Sequence, residues 1–218
     1  MHGIKGENQW LDKRVSKRPL IYELKSFLDI KSCAHIVNVA KDKMKLALVS
    51  GEKEGVLHSA RTNRSCFIPH RYDEIFEKIS FTISKLLNRD LSTAEDFQII
   101  HYTKDQEYKP HFDAFSMDGS ELSRTNTKFG GQRIITALCY LNNVEKGGST
   151  IFPAIPLAIK PERGKLILFK NTIDGKNTRD SKALHGGSPV IKGQKWAFNL
   201  WFREQDRRAF YNYKITED

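Results

Sequence analysis

Two short stretches hold the makings of a metal site. In YKPHFDAF (108–115), His111 and Asp113 stand two positions apart behind Pro110, and in ALHGGSPVIKGQKWAFNLWF (183–202), His185 precedes a Gly-Gly pair. Residues i and i+2 share a face of an extended strand, whereas on a helix they diverge by about 200°. His111 and Asp113 therefore share a ligand most easily if 108–115 is a strand, which Tyr108, Phe112 and Phe115 favour. Pro110 suits the start or edge of a sheet rather than its centre. An HxD pair alone arises by accident on many half-exposed strands. Joined by His185 it becomes two imidazoles and one carboxylate, the set that holds non-haem Fe(II) and leaves positions open. A structural zinc wants four protein ligands, and no fourth is apparent in the sequence.

Lys195 follows His185 by ten residues, in an apolar setting with Val190, Ile191, Trp196 and Phe198. A single lysine beside a strand usually snorkels to water. Buried without a partner, its ammonium is costly, and a cosubstrate carboxylate offsets that cost. If 2-oxoglutarate chelates iron through its keto-acid end, its far carboxylate needs a cation, and Lys195 can supply one.

These residues must be carried by a scaffold. Between Asp29 and Met44, Cys33, Ile36, Val37, Ala40 and Met44 recur at helical steps, with Asp29 or Ser32 as N-cap. In RYDEIFEKISFTISKLLNRD, Ile75, Phe76, Ile79, Ile83, Leu86 and Leu87 form a clearer amphipathic stripe. After Asp90 the period turns strand-like: FQIIHY, YKPHFDAF, RIITALCYLN, STIFP, GKLILFK and KWAFNLWF are short, β-branched and aromatic, and separated by Gly, Asp and Asn. That pattern predicts a mainly β fold, a barrel or sandwich braced by the preceding helices. Two polar connections, 116–131 and 171–183, are of a length that is usually functional or disordered.

The 36 Lys+Arg against 26 Asp+Glu give a net charge of +10, but the basic residues are scattered, so direct nucleic-acid binding is a minority reading. Cys33, Cys66 and Cys139 are odd in number and lack zinc-like spacing, which suits reduced, buried thiols. No apolar run approaches a membrane span, and MHGIKGENQW lacks a signal-peptide core. The expectation is a soluble protein without a membrane partner, cytoplasmic in preference to a secretory lumen.

Over roughly positions 50 to 205 the chain resembles the catalytic domain of the prolyl 4-hydroxylases, Fe(II)- and 2-oxoglutarate-dependent dioxygenases. The resemblance rests on RTNRSCFIP, the segment from Tyr102 to Asp113, GGQRIITALCYLNNVEKGGSTIFP, KPERGKLILFKN and HGGSPVIKGQKWAFNLWFRE. It implies a double-stranded β-helix, or jelly-roll, in a single catalytic domain over 1–218, with helical support at about 20–90 and the core at about 95–205. It also implies iron on His111, Asp113 and His185, and the far 2-oxoglutarate carboxylate on Lys195. Tyr102 and Tyr140 match positions that line the 2-oxoglutarate pocket, with Thr136 and Asn199 as its polar neighbours. Tyr108, Arg133 and Trp201 match positions that approach the substrate proline, Arg133 as a donor to a peptide carbonyl. The ordinary reading of buried aromatics such as Tyr140 and Trp201 is core packing. One departure is Asp105 before Gln106, where the family often has glycine.

The activity implied is 4-hydroxylation of peptidyl proline in Pro-rich or collagen-like segments, using dioxygen, releasing succinate and CO2, with ascorbate keeping iron reduced. The separate peptide-binding domain of the large animal collagen enzymes has no counterpart here. Substrate choice then rests on the stretch around Ala60 to Cys66 and on the loop from Ser116 to Phe129. Rival readings are a 2-oxoglutarate-dependent nucleic-acid demethylase, in which arginine usually replaces the anchoring lysine, and a catalytically silent jelly-roll binding module. A halogenating relative is disfavoured by Asp113, since such enzymes vacate the carboxylate position for halide.

Overall fold

The helical and alternating patterns resolve into two helices against stacked sheets. The computed structural model describes residues 13–47 and 62–210. In chain order these form β1 (Arg14–Lys17), β2 (Leu20–Leu24), α1 (Ile30–Ala40), β3 (Lys45–Leu46), β4 (Arg64–Ile68), α2 (Glu74–Leu87), β5 (Phe97–Tyr102) and β6 (Tyr108–His111). There follow α3 (Glu121–Thr127), β7 (Arg133–Tyr140), β8 (Lys146–Gly147), β9 (Thr150–Phe152), β10 (Leu157–Ile159), β11 (Leu166–Lys170), β12 (His185–Gly187), β13 (Val190–Lys192) and β14 (Lys195–Arg203). Ala60 and Arg61, part of the stretch expected to shape substrate choice, lie outside the described residues.

Asp29, not Ser32, caps α1, its carboxylate accepting the Ser32 N–H at 2.7 Å. The α-helix stops at Ala40, and a 3-10 turn over Lys41–Lys43 replaces the expected run to Met44. Helix α2 starts on Asp73, which takes the N–H groups of Ile75 and Phe76, and ends at Asn88 in the left-handed region at φ 48°. Phe76, Ile79, Ile83 and Leu87 are its buried stripe.

An eight-stranded sheet runs β1-β2-β11-β7-β14-β5-β4-β3, a four-stranded sheet runs β10-β9-β12-β6, and β13 pairs with β8. One apolar layer, with Ile100, Leu138, Phe152, Ile167 and Phe169, lies between the two larger sheets. A second, with Cys33, Ile36, Phe76, Ile83, Ile99, Cys139 and Phe198, joins the large sheet to the helices. Two facing sheets with helices on one side are the jelly-roll arrangement. Strand parity assigns the faces: on β14, Trp196, Phe198, Leu200 and Phe202 meet the helices, while Lys195, Ala197, Asn199 and Trp201 point the other way.

Three expectations need correction. The segment at 20–90 is not purely helical support, because β2 pairs with β11 and β4 with β5 in the large sheet. The strand at 108–115 ends at His111, so Asp113 lies beyond it and its direction is not set by strand alternation. The 116–131 connection carries the seven-residue α3, capped by Ser120. Cys33, Cys66 and Cys139 are free and buried, and burial pushes the first two thiols up to about 11. Among the described residues no helix is long and apolar enough to cross a membrane.

Candidate metal centre and its cavity

Strands β6 and β12 run antiparallel with His111 opposite His185 and Tyr108 opposite Gly187. Between those pairs Lys109 and Pro110 stand against Gly186 alone, a bulge on the edge strand of its sheet. Pro110, which has no N–H to give a ladder, is tolerated there. Gly186 is required by close approach: a Cβ would sit 2.8 Å from the Tyr108 carbonyl oxygen and 3.0 Å from the Pro110 nitrogen.

Each imidazole is oriented by the backbone carbonyl two residues before it. His111 Nδ1 lies 2.9 Å from the Lys109 carbonyl and His185 Nδ1 lies 3.0 Å from the Ala183 carbonyl. A carbonyl only accepts, so Nδ1 carries the proton in both rings and Nε2 keeps its lone pair for a metal. His111 Nε2 is 3.8 Å from Asp113 Oδ1, and His185 Nε2 is 3.5 Å from Asp113 Oδ2. One donor atom from each of the three residues falls within 4.8 Å of the others, a spacing that a single ion bridges. Tyr108 stacks on His111, with ring centroids 3.6 Å apart.

Asp113 is aimed by side chains rather than by a ladder. The Thr136 hydroxyl donates to Asp113 Oδ2 at 2.6 Å, and Asn171 Nδ2 donates to Thr136 Oγ1 at 2.9 Å. Burial works against the charge of Asp113. His185, His111, Arg133 and the Thr136 bond outweigh it and hold the carboxyl at about 2. Thr136, expected beside 2-oxoglutarate, thus spends its hydroxyl on Asp113, and it does not line the cavity.

The three residues border a cavity of about 960 Å³, which Lys195, Tyr102, Tyr108, Arg133, Asn199 and Trp201 also line. Lys195 is 2% exposed, and its ammonium lies 5.2 Å from the Tyr102 ring centroid and 5.4 Å from that of Tyr140. Burial alone pushes it down to about 7, and among the described residues no carboxylate pairs with it. An ammonium so placed fits an acidic ligand. The Tyr140 ring faces the ammonium, and its hydroxyl bonds Thr150 Oγ1 at 2.7 Å and the Ile159 carbonyl at 3.1 Å; Thr150 lines the cavity, whereas Tyr140 does not. Asn199 Nδ2 donates to Gln98 Oε1 at 3.3 Å.

Arg133 reaches the cavity through a second bulge. Phe202 pairs with Ile135 but Arg203 with Arg133, so Ile134 is an extra residue on β7. The guanidinium stacks on Trp201 at 3.7 Å and gives Nε and Nη2 to Glu95 at 2.7 and 2.8 Å. Arg203 joins Glu95 from the other side at 3.0 Å. Burial opposes the Glu95 charge, but Arg133, Arg203 and Arg207 hold it at about 2. Trp201 Nε1 is buried without a hydrogen-bond partner among the described residues.

Several residues here escaped the sequence reading. Glu95 carries no motif, Gln132 stands between a Gly-Gly pair and a strand that opens at Arg133, and Arg179 is one polar residue of a polar loop. Gln132 accepts the N–H of Phe115 at 2.6 Å and donates to the carbonyls of Phe115 and Asn177 at 3.0 and 3.2 Å. A buried glutamine in a glycine-flanked turn was the available signal for that brace.

Residues 97–203 match the family model of the 2OG-Fe(II) oxygenase superfamily. Probable prolyl 4-hydroxylase 7 of Arabidopsis thaliana is 33% identical over 218 residues, covering 90% of this chain and 67% of that protein. Prolyl 4-hydroxylase 5 of the same plant is 34% identical, covering 89% and 71%. Among solved structures, the 2OG complex of a viral collagen prolyl hydroxylase from Paramecium Bursaria Chlorella virus-1 superposes with a TM-score of 0.68 at 26% identity, over 84% of this chain and 95% of that one. A Trichoplax adhaerens prolyl hydroxylase in complex with a peptide fragment shares the fold, with a TM-score of 0.61 at 17% identity over 93% and 89% of the two chains. The chain belongs to the prolyl 4-hydroxylase family of that superfamily.

Proposed function

We propose that this protein hydroxylates proline in peptides, using 2-oxoglutarate, dioxygen and an Fe(II) held by His111, Asp113 and His185. The observation that carries this reading is the meeting of two features at one cavity: two imidazoles with one carboxylate, and a buried ammonium with no carboxylate of the described residues beside it. When bound, Fe(II) and 2-oxoglutarate supply the oxidation, one atom of dioxygen ending in succinate as CO2 leaves and the other entering a substrate C–H bond.

The residues bind, orient and shield. Lys195 takes the far carboxylate of 2-oxoglutarate above the Tyr102 and Tyr140 rings, turning a costly lone charge into a pair. Asp113 stays ionised near neutral pH, held by its cationic neighbours and Thr136. Tyr108, Arg133 and Trp201 border the substrate side of the cavity. Glu95 occupies two nitrogens of Arg133, which leaves Nη1 as a donor toward a peptide carbonyl. An extended polyproline segment offers such carbonyls without paying ordering entropy.

The names of the relatives support C4 of proline as the reacting atom, and the viral collagen enzyme supports Pro-rich or collagen-like sequences. The test is mass spectrometry of Pro-rich, collagen-like and proline-free peptides incubated with Fe(II), 2-oxoglutarate and ascorbate, beside Asp113→Ala and a methylated oligonucleotide. A one-oxygen gain confined to proline-containing peptides and absent in the variant is expected. Reaction of the oligonucleotide alone would overturn the reading in favour of a demethylase.

A further inference from the structure

We propose that Arg179 is a positioning residue for the metal ligand Asp113, gripping the chain on both sides of it. The inference rests on the metal assignment made above. Asp113 lies past the end of β6, so no ladder bond fixes its backbone. The residue before it, Phe112, lies under the Arg179 guanidinium, 4.6 Å from ring centroid to Cζ. The residue after it, Ala114, accepts both Nε and Nη2 of Arg179 on its carbonyl, at 3.1 and 2.8 Å. One planar cation thus straddles the ligand, stacking on one neighbour and hydrogen-bonding the other.

Arg179 has no other anchor that competes for this role. Among the described residues no carboxylate comes within ion-pair distance of it, and Asp118 acts only as a more distant charge. Its backbone is itself tied down, bridging to Thr172 across the 171–183 loop. That loop leads into His185, six residues on. Gln132 completes the clamp from another direction by binding both backbone groups of Phe115 and the Asn177 carbonyl of the same loop. Asp113 is therefore located relative to the loop that delivers His185, so displacement of Arg179 misaligns two ligands. Partners of this kind usually change metal affinity by about 10- to 100-fold when removed.

The experiment measures Mn(II) affinity of the full chain from the free Mn(II) electron-paramagnetic-resonance signal, with no turnover involved. Wild type, Asp113→Ala, Arg179→Ala and Arg179→Lys are compared, together with their thermal unfolding midpoints without metal. Arg179→Ala is expected to weaken Mn(II) binding at least ~10-fold. Arg179→Lys, which keeps a cation over Phe112 and one donor for Ala114, is expected to recover part of the loss. Lowered affinity in Arg179→Ala with an unchanged metal-free midpoint supports the positioning role. Wild-type Mn(II) affinity in Arg179→Ala overturns it, whatever happens to the midpoint or to peptide KM. If Arg179→Ala does not fold, Arg179→Lys decides: reduced affinity with a wild-type midpoint supports the role, and wild-type affinity overturns it. Retention of Mn(II) binding by Asp113→Ala would instead overturn the metal assignment itself.

Discussion

His111 and His185 face each other across the β6–β12 pair, with ring centroids 4.6 Å apart and planes inclined by 54°. Strand register thereby brings together two ligands from positions more than seventy residues apart. Gly186 keeps that register, because the bulged β6 backbone passes where a Cβ would be. Gly186→Ala is expected to push β6 off β12, lower stability by about 1–3 kcal/mol and weaken metal binding. Urea unfolding and a Mn(II) titration check this; unchanged metal affinity would show that the close approach is relaxed without moving His111.

Thr136 gives its proton to Asp113 and receives one from Asn171. Thr136→Val keeps the shape but strands a buried carboxylate oxygen and a buried amide N–H, at a cost of roughly 1–3 kcal/mol. Thr136→Ser restores the hydroxyl and is expected to regain most of that stability. Denaturant midpoints of the three proteins make the comparison.

Lys195 sits at about 7 in the ligand-free protein, below the ordinary lysine value of 10.5. The folded state therefore holds fewer protons than the unfolded chain between those values. The resulting destabilisation is complete below pH 7, on the order of 5 kcal/mol, and is relieved as pH rises toward 10.5. A bound carboxylate raises the lysine's value, so 2-oxoglutarate binding above pH 7 should take up a proton and weaken with rising pH. Calorimetry in buffers of different ionisation enthalpy reads that proton. Lys195→Met should gain stability at pH 7 while losing roughly 2–5 kcal/mol of 2-oxoglutarate binding.

Glu95 holds Arg133 and Arg203 together in a buried cluster. Its carboxyl, at about 2, lies below the ordinary glutamate value of 4.5, so its stabilisation is full above pH 4.5 and is lost as pH falls toward 2. Glu95→Ala leaves two buried guanidinium groups without their shared partner, at a cost of about 3–5 kcal/mol. On the proposed reading, in which Arg133 meets the peptide and Lys195 meets 2-oxoglutarate, peptide KM should rise more than 2-oxoglutarate KM. An equal rise in both would argue that the whole cavity had moved.

What the sequence disclosed was whatever local pattern encodes. The segment KWAFNLWF reads as a strand and is one, and most of the helical stripe from Ile75 to Leu87 is buried. The types and spacing of His111, Asp113 and His185 suggested a metal, and the structure gathers their donor atoms. Bulges at Lys109–Pro110 and at Ile134 were invisible, because an extra residue in a ladder is defined by its partner strand. So was the pairing of β2 with β11, which joins segments far apart in the chain. Glu95 and Arg179 act through residues distant in sequence, and no spacing rule points to them.

Strand β6 occupies the edge of its sheet, with β12 as its single ladder neighbour and a proline in its middle. Such a strand opens locally more readily than an interior one. An ion shared by His111 and His185 rivets this loose margin to the strand behind it, so occupancy stabilises the closed form by mass action. Iron supply would then set the working lifetime of the protein as well as its turnover, with β6 the first segment to come adrift when the metal runs short.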